Sequence, residues 1–190
     1  SDKFEVGFEK LNNAYGFSKV IMDNITYEYL KKDLDISIVG LKYFNVYGPK
    51  EFYKDKTSSM VVQFAHQILK GLTPKLFEGS NKILRDFIYI DDVIQANIKA
   101  CSAEKSGVYN VGTGKARSFE DIVTILQKEL KIDNGKEYIR NPFIGSYQFF
   151  TQANVKKTKK NLGYKARFEL EDGIKAYIPE IKRLFKEEVK

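Results

Sequence analysis

Apolar residues recur at helical spacing near the start of the chain and then change period. Between residues 16 and 32 they fall at Ile21, Ile25 and Tyr29, beside Met22, which is one stripe of a helix. The next stretch, Ile36-Ser37-Ile38-Val39-Gly40-Leu41-Lys42-Tyr43-Phe44, is rich in β-branched and aromatic residues and reads as a largely buried strand. Asn45-Val46-Tyr47-Gly48-Pro49 carries a turn signal. Helical spacing returns at Met60, Val61, Phe64 and Ile68, predicting a helix over residues 59–70 closed by Gly71, with Pro74 beyond. Short strands around a turn are expected at residues 76–81 and 83–90. Asp91 and Asp92 suit the amino-terminal cap of a helix over residues 93–101.

The second half continues the alternation. Gly107-Val108-Tyr109-Asn110-Val111 reads as a strand leaving through Gly112-Thr113-Gly114. Ser118-Phe119-Glu120-Asp121 resembles a capping box, opening a helix with Phe119, Ile122, Val123, Leu126 and Leu130 on one face. A short strand at 137–139, an aromatic-rich loop at 147–152, a short helix at 155–162 and a last helix at 170–185 complete the pattern. Helices joined to buried strands by short loops imply an α/β fold with a parallel sheet. In such sheets the loops after the strands' carboxyl ends line the ligand crevice, which makes residues 45–54 candidates. Gly112-Thr113-Gly114 lacks both the third glycine of a dinucleotide fingerprint and the Gly-Lys-Ser/Thr of a phosphate loop. It reads as a tight strand-to-helix turn.

Composition narrows the classes. The 190 residues are 43% hydrophobic, enough for one core or slightly more. The net charge of +7 concentrates late, in Lys156-Lys157-Thr158-Lys159-Lys160 and Lys182-Arg183. Acidic residues are interleaved elsewhere and no nucleic-acid motif accompanies the lysines, so these read as solvated faces. No run approaches the roughly 18 apolar residues of a membrane span, and Ser1-Asp2-Lys3-Phe4-Glu5 is not a secretory signal. The single cysteine, Cys101, has no partner for an internal disulfide and reads as a packed helix residue, which fits a reducing cytoplasm. His66 is the only histidine, so a zinc site of the usual spacing is excluded. Its mid-helix place, without a serine elbow, argues against a serine–histidine triad.

Candidate chemistry lies at the start of the first helix. Tyr15 and Lys19 are one turn apart and share a face. A tyrosine acting as a base near neutrality needs its pKa lowered by about three units, roughly 4 kcal/mol. An ammonium about 4 Å away, at an effective dielectric of about 20, supplies an interaction of that size. Such a pair can take a proton from a sugar hydroxyl while a nicotinamide takes the hydride. Tyr27 and Lys31 repeat the spacing, but they lie among the charges Glu28, Lys32 and Asp33 and read as a solvated face.

Four motifs, in this order and spacing, resemble those of extended short-chain dehydrogenases/reductases acting on nucleotide sugars. They are Tyr15-Gly16-Phe17-Ser18-Lys19, Leu41-Lys42-Tyr43-Phe44-Asn45-Val46-Tyr47-Gly48-Pro49, Arg85-Asp86-Phe87-Ile88-Tyr89-Ile90-Asp91-Asp92-Val93 and Tyr109-Asn110-Val111-Gly112-Thr113-Gly114. The resemblance spans nearly the whole chain. Three finer stretches resemble the ADP-heptose 6-epimerase branch: Pro49-Lys50-Glu51-Phe52-Tyr53-Lys54, Pro74-Lys75-Leu76-Phe77-Glu78-Gly79-Ser80, and Ser146-Tyr147-Gln148 with Thr151-Gln152-Ala153. The implied fold is the carboxyl-terminal part of a Rossmann-type parallel sheet plus a smaller α/β substrate-binding domain. Residues 1–75 would be the remnant of the NADP-binding domain and 76–190 the substrate domain, with the strand near 107–112 a candidate to return to the Rossmann sheet. The family's opening glycine-rich turn has no counterpart here, and its catalytic Ser/Thr would precede Ser1. The expectation is a fragment inactive by itself.

The resemblance also implies roles. Tyr15 matches the acid/base tyrosine and Lys19 the lysine that binds the cofactor ribose and tunes the tyrosine. Asn45 and Val46 match positions at substrate and nicotinamide. Lys54 matches a second acid/base that also meets the cofactor. Phe77, Glu78, Gly79, Ser80, Arg85 and Tyr147 match ADP-sugar positions, with Arg85 the diphosphate partner. Lys56 and Gln63 stand at two further substrate positions but differ from the residues of familiar members. The implied reaction is epimerisation of ADP-D-glycero-D-manno-heptose to ADP-L-glycero-D-manno-heptose by transient oxidation at the sixth carbon with bound NADP. It would serve lipopolysaccharide core synthesis in a cytoplasmic homo-oligomer, without metal, nucleic acid or membrane. Two other readings stand beside it: another nucleotide-sugar epimerase or dehydratase, and a non-catalytic nucleotide-sugar-binding module.

Overall fold

Among the described residues the chain opens and closes on helices, with short, mostly parallel strands between them in sequence. The computed structural model describes residues 14–32, 34–142 and 148–188. Helix α1 runs Ala14–Leu30 and leads to β1, Val39–Tyr43, which pairs in parallel with β5, Gly107–Val111, from Val39 opposite Gly107 to Tyr43 opposite Val111. The expected parallel sheet is present, and the later strand returns to lie beside the earlier one.

Residues 45–47 differ from expectation. They form β2, Asn45–Tyr47, parallel to β4, Leu84–Tyr89, rather than a turn. The Phe44 N–H still bonds the Val111 carbonyl at 3.0 Å, so the chain steps from one neighbour to the next without leaving strand geometry. The turn begins at Gly48, whose φ of 141° and crowding (a Cβ there would meet Ile90 Cγ2 at 2.6 Å) require glycine. The strands expected to face each other around residues 78–82 also separate. β3, Lys75–Phe77, pairs in parallel with β7, Glu137–Ile139, while β4 pairs antiparallel with β6, Ala116–Ser118.

Helix α2, Met60–Leu69, buries Val61, Val62, Phe64, Ala65 and Ile68. It packs with α4, Phe119–Leu130, and α6, Leu170–Glu188, around Leu76, Phe87, Leu126 and Ile174. This cluster runs across residue 75. A second one joins Ile88, Val93, Tyr109, Val111 and Tyr164, covered by α3, Ile90–Cys101, and α5, Lys156–Leu162. The capping box of α4 forms as read: Ser118 accepts from the Asp121 N–H while Asp121 accepts from the Ser118 N–H.

Two expectations for α3 fail. Its cap is Tyr89, with no side-chain bond, and Asp91 and Asp92 lie inside the first turn. Asp92 is fully buried and accepts the Arg167 and Phe168 backbone N–H groups at 3.0 and 3.1 Å, so its carboxylate holds a distant segment instead of its own helix. Cys101, expected to be packed, ends α3 and is exposed. No helix among the described residues is long and apolar enough to cross a membrane.

Candidate active site

Tyr15 and Lys19 come together on the first turns of α1. The Lys19 Nζ lies 5.1 Å from the Tyr15 ring centroid, a cation–π contact, and 4.0 Å from Met22 Sδ. The ammonium thus meets the face of the ring, whereas tuning the phenol requires it beside the oxygen. Both side chains face solvent, Tyr15 with 72% of its surface exposed. No residue of α1 is buried, and the stripe Ile21, Met22, Ile25 and Tyr29 is open. Of the competing pair, Lys31 bonds Glu28 at 2.6 Å on the solvated face, as read from its charges.

Asn45, Val46 and Lys54 follow on one continuous segment. Asn45 is exposed at the head of β2, and Val46 is half-buried against the second core cluster. Lys54 sits in a 3-10 turn, Phe52–Thr57, with an exposed side chain. Its N–H donates to the Glu51 carbonyl at 2.9 Å and its carbonyl accepts from Thr57 Oγ1 at 2.6 Å, so the lysine leaves a fastened backbone. The phenols of Tyr47, Tyr89 and Tyr177, elsewhere in the first core cluster, are pushed up, above all by burial. They stay protonated at neutral pH and offer no base there.

Phe77 and Ser80 line a cavity of about 300 Å³. Its walls come from α2 (Met60, Gln63, Phe64, Gln67), from Leu76 and Ile83, from Phe119 of α4 and from Ile139 of β7. Apolar walls with a few amides suit a flat heteroaromatic ring. The amides are held: Gln63 Nε2 donates to the Ser58 carbonyl at 2.8 Å, and Gln67 Oε1 accepts the Lys75 N–H at 2.9 Å. Gly79 takes the left-handed conformation, φ 74°, and is exposed with Glu78 next to buried Ser80. Arg85, almost wholly buried, donates Nη1 to the Leu84 carbonyl at 2.9 Å and Nη2 to the Gln148 carbonyl. Its guanidinium therefore ties Gln148 to β4. Tyr147 lies outside the described residues.

The glycine turn leads into β6, not directly into a helix, and its amides are occupied from within. Asp86, fully buried, accepts Thr113 N–H and Oγ1 at 2.7 Å, Gly114 N–H at 2.8 Å and Ala153 N–H at 3.0 Å. A cradle of N–H groups does form, and a carboxylate of the same chain fills it. The structural role of Asp86 and Asp92, and the place of Met60, Gln67 and Phe119 at the cavity, were not legible in the sequence. The only trace was the acidic residues embedded in the otherwise apolar run of residues 86–93. Among the described residues no cluster of His, Cys, Asp and Glu could hold a metal ion.

The fold is similar to that of known proteins. The family described as NAD dependent epimerase/dehydratase matches residues 2–112. The ADP-L-glycero-D-manno-heptose-6-epimerase of Helicobacter pylori is 50% identical, with a TM-score of 0.80 over 90% of this chain and 51% of that one. The UDP-glucuronic acid 4-epimerase of Bacillus cereus, solved with UDP-glucuronic acid and NAD, is 28% identical, with a TM-score of 0.75 over 90% of this chain and 52% of that one. The UDP-glucose 4-epimerase of Thermotoga maritima, solved with UDP-glucose, shares the fold at 24% identity, with a TM-score of 0.79 over 90% of this chain and 53% of that one. The chain thus spans about half the length of these solved proteins. Its fold is a partial Rossmann-type α/β arrangement.

Proposed function

We propose a specific reaction for this chain, which belongs to the NAD dependent epimerase/dehydratase family. The reaction is epimerisation of ADP-D-glycero-D-manno-heptose to ADP-L-glycero-D-manno-heptose, with these 190 residues supplying the second acid/base and the ADP-sugar side of the site. The observation that carries it is the 50% identity, over 90% of the chain, to the Helicobacter pylori heptose epimerase. In this reading residues 1–75 belong to the cofactor side and 76–190 to the substrate side. A cytoplasmic homo-oligomer serving lipopolysaccharide core synthesis is part of the same proposal.

The donor set fits a dinucleotide ribose. Tyr15 offers a hydroxyl and Lys19 an ammonium from adjacent turns of one exposed helix face, and we assign NADP to Tyr15, Lys19, Val46 and Lys54. When bound, the nicotinamide supplies a reversible hydride acceptor. The sixth carbon of the heptose has no proton acidified by a carbonyl, so exchange of its faces goes through a flat ketone. The substrate oxygen occupies different places in the two epimers. Tyr15 moves the proton at that oxygen in one, and Lys54 in the other. Phe77 and Ser80 hold the adenine in their cavity, with Glu78 and Gly79 next to them. Arg85 and Tyr147 meet the diphosphate-sugar, and Asn45 the sugar beside the nicotinamide.

The test uses these residues joined to the amino-terminal half their relatives possess. Tyr15→Phe and Lys54→Met should each lower epimerisation about 10²–10⁴-fold, the usual loss for a positioned acid/base. Each should retain a half-reaction, read as reduced nicotinamide, from opposite epimers. Parental epimerisation by Lys54→Met would show a single-base enzyme and remove the heptose assignment. Residues 1–190 alone should neither retain NADP nor turn over.

A further inference from the structure

Glu51 is 5% exposed although it belongs to a surface loop. Its Oε1 accepts the Gly48 N–H at 3.1 Å and the Ser59 hydroxyl at 2.8 Å, while Oε2 accepts the Ser59 N–H at 2.7 Å. Gly48 follows β2 and Ser59 caps α2, so one carboxylate closes both ends of the loop that carries Lys54. The anion also lies at the positive end of the α2 dipole. A second tie comes from α6, where Glu180 Oε1 accepts the Lys50 N–H at 3.2 Å. Lys50 itself sits at a φ of 71°, a conformation a loop with loose ends would relax.

We infer that Glu51 is a positioning residue for Lys54, holding the loop so that the lysine reaches one epimer's oxygen. The inference rests on Lys54 being the second acid/base. The chemistry of the clamp demands a carboxylate: all three partners donate, and an ionised carboxylate only accepts. Glutamine has the same shape, but its amide group turns an N–H towards one of those donors. The loop's ends then part, and the fraction of time that Lys54 is in place falls, while Tyr15, on α1, is untouched.

The experiment is Glu51→Gln in the enzyme joined to its amino-terminal half, with Ser59→Ala as a milder variant that removes only the hydroxyl bond. Amide hydrogen exchange at Gly48 and Ser59 should quicken at least about tenfold in Glu51→Gln. Epimerisation should fall at least about tenfold, whereas KM for the ADP-sugar stays within about twofold. The half-reaction served by Lys54 should fall with it, and that served by Tyr15 should hold. Ser59→Ala should show the same asymmetry at smaller size, which keeps the test decisive if Glu51→Gln does not fold. Equal loss of both half-reactions would make Glu51 a fold residue only. Unchanged half-reactions with a loosened loop would overturn positioning outright. If Lys54→Met epimerises at the parental rate, the premise fails, and the exchange data still report whether the clamp exists.

Discussion

Helices α1 and α4 both carry apolar residues at helical spacing, yet they end in opposite states. α4 buries Ile122, Val123, Ile125, Leu126 and Leu130 against α2 and α6. α1 buries nothing, and Ile25 and Met22 remain 52% and 57% exposed. Periodicity announces a face that prefers to be covered; it carries no information about where the cover is. The difference extends to the chemistry. Beyond α1 the chain is organised from within, by Asp86 in the glycine turn, Asp92 on residues 167–168 and Glu51 on the Lys54 loop. Tyr15 and Lys19 stand on the uncovered helix, and with no buried surroundings nothing draws the ammonium from the ring face to the phenolic oxygen.

Three measurements test this contrast. The largest effect is expected in stability. Leu126→Ala in the 190-residue chain should cost about 2–5 kcal/mol by urea unfolding, as large-to-small core changes do. Ile25→Ala on α1 should fall within about 0.5 kcal/mol, the range of exposed sites. Equal costs would mean that α1 is covered in solution.

The next concerns whether the substrate side binds without the cofactor side. By calorimetry, residues 1–190 should bind ADP, and Arg85→Lys should weaken ADP-sugar binding by about 1–3 kcal/mol, the range of charge-assisted hydrogen bonds. NADP affinity of the enzyme joined to its amino-terminal half should not change. An unchanged ADP-sugar affinity would remove Arg85 from the site and leave it as the anchor of residue 148.

The smallest effect is electrostatic. Arg117 of β6 reaches Glu171 at 2.8 Å and Asp121 at 3.2 Å. Its hydrogen bond is the leading cause that holds the Glu171 carboxyl below the usual range. For Asp121, burial pushes up, but the Ser118 N–H and Arg117 together outweigh it and the carboxyl lies low. Groups with lowered folded-state pKa stabilise above their unfolded values and lose that contribution as pH falls through the folded ones. Arg117→Gln should therefore be less stable at neutral pH, by no more than about 1 kcal/mol for so exposed a set. The gap should close as acid protonates both carboxylates. A gap that persists in acid would point to lost packing instead of charge.

The helices were legible in the sequence. Helical spacing placed α2, α4 and α6, the capping box at Ser118 formed as written, and Tyr15 with Lys19 met across one helical turn, because these depend on contacts within a few residues. Tertiary structure alone decided the partners. Residues 45–47 became a strand because β4 lay alongside to pair with them, against their own turn signal. Asp92 left its helix cap because two amides 75 and 76 residues away offered a buried carboxylate better bonds. Gln63, Gln67 and Phe119 became neighbours of Phe77 only when α2, β3 and α4 packed around one cavity. Long-range hydrogen bonds and burial are set by which segments meet, and spacing along the chain does not encode that meeting.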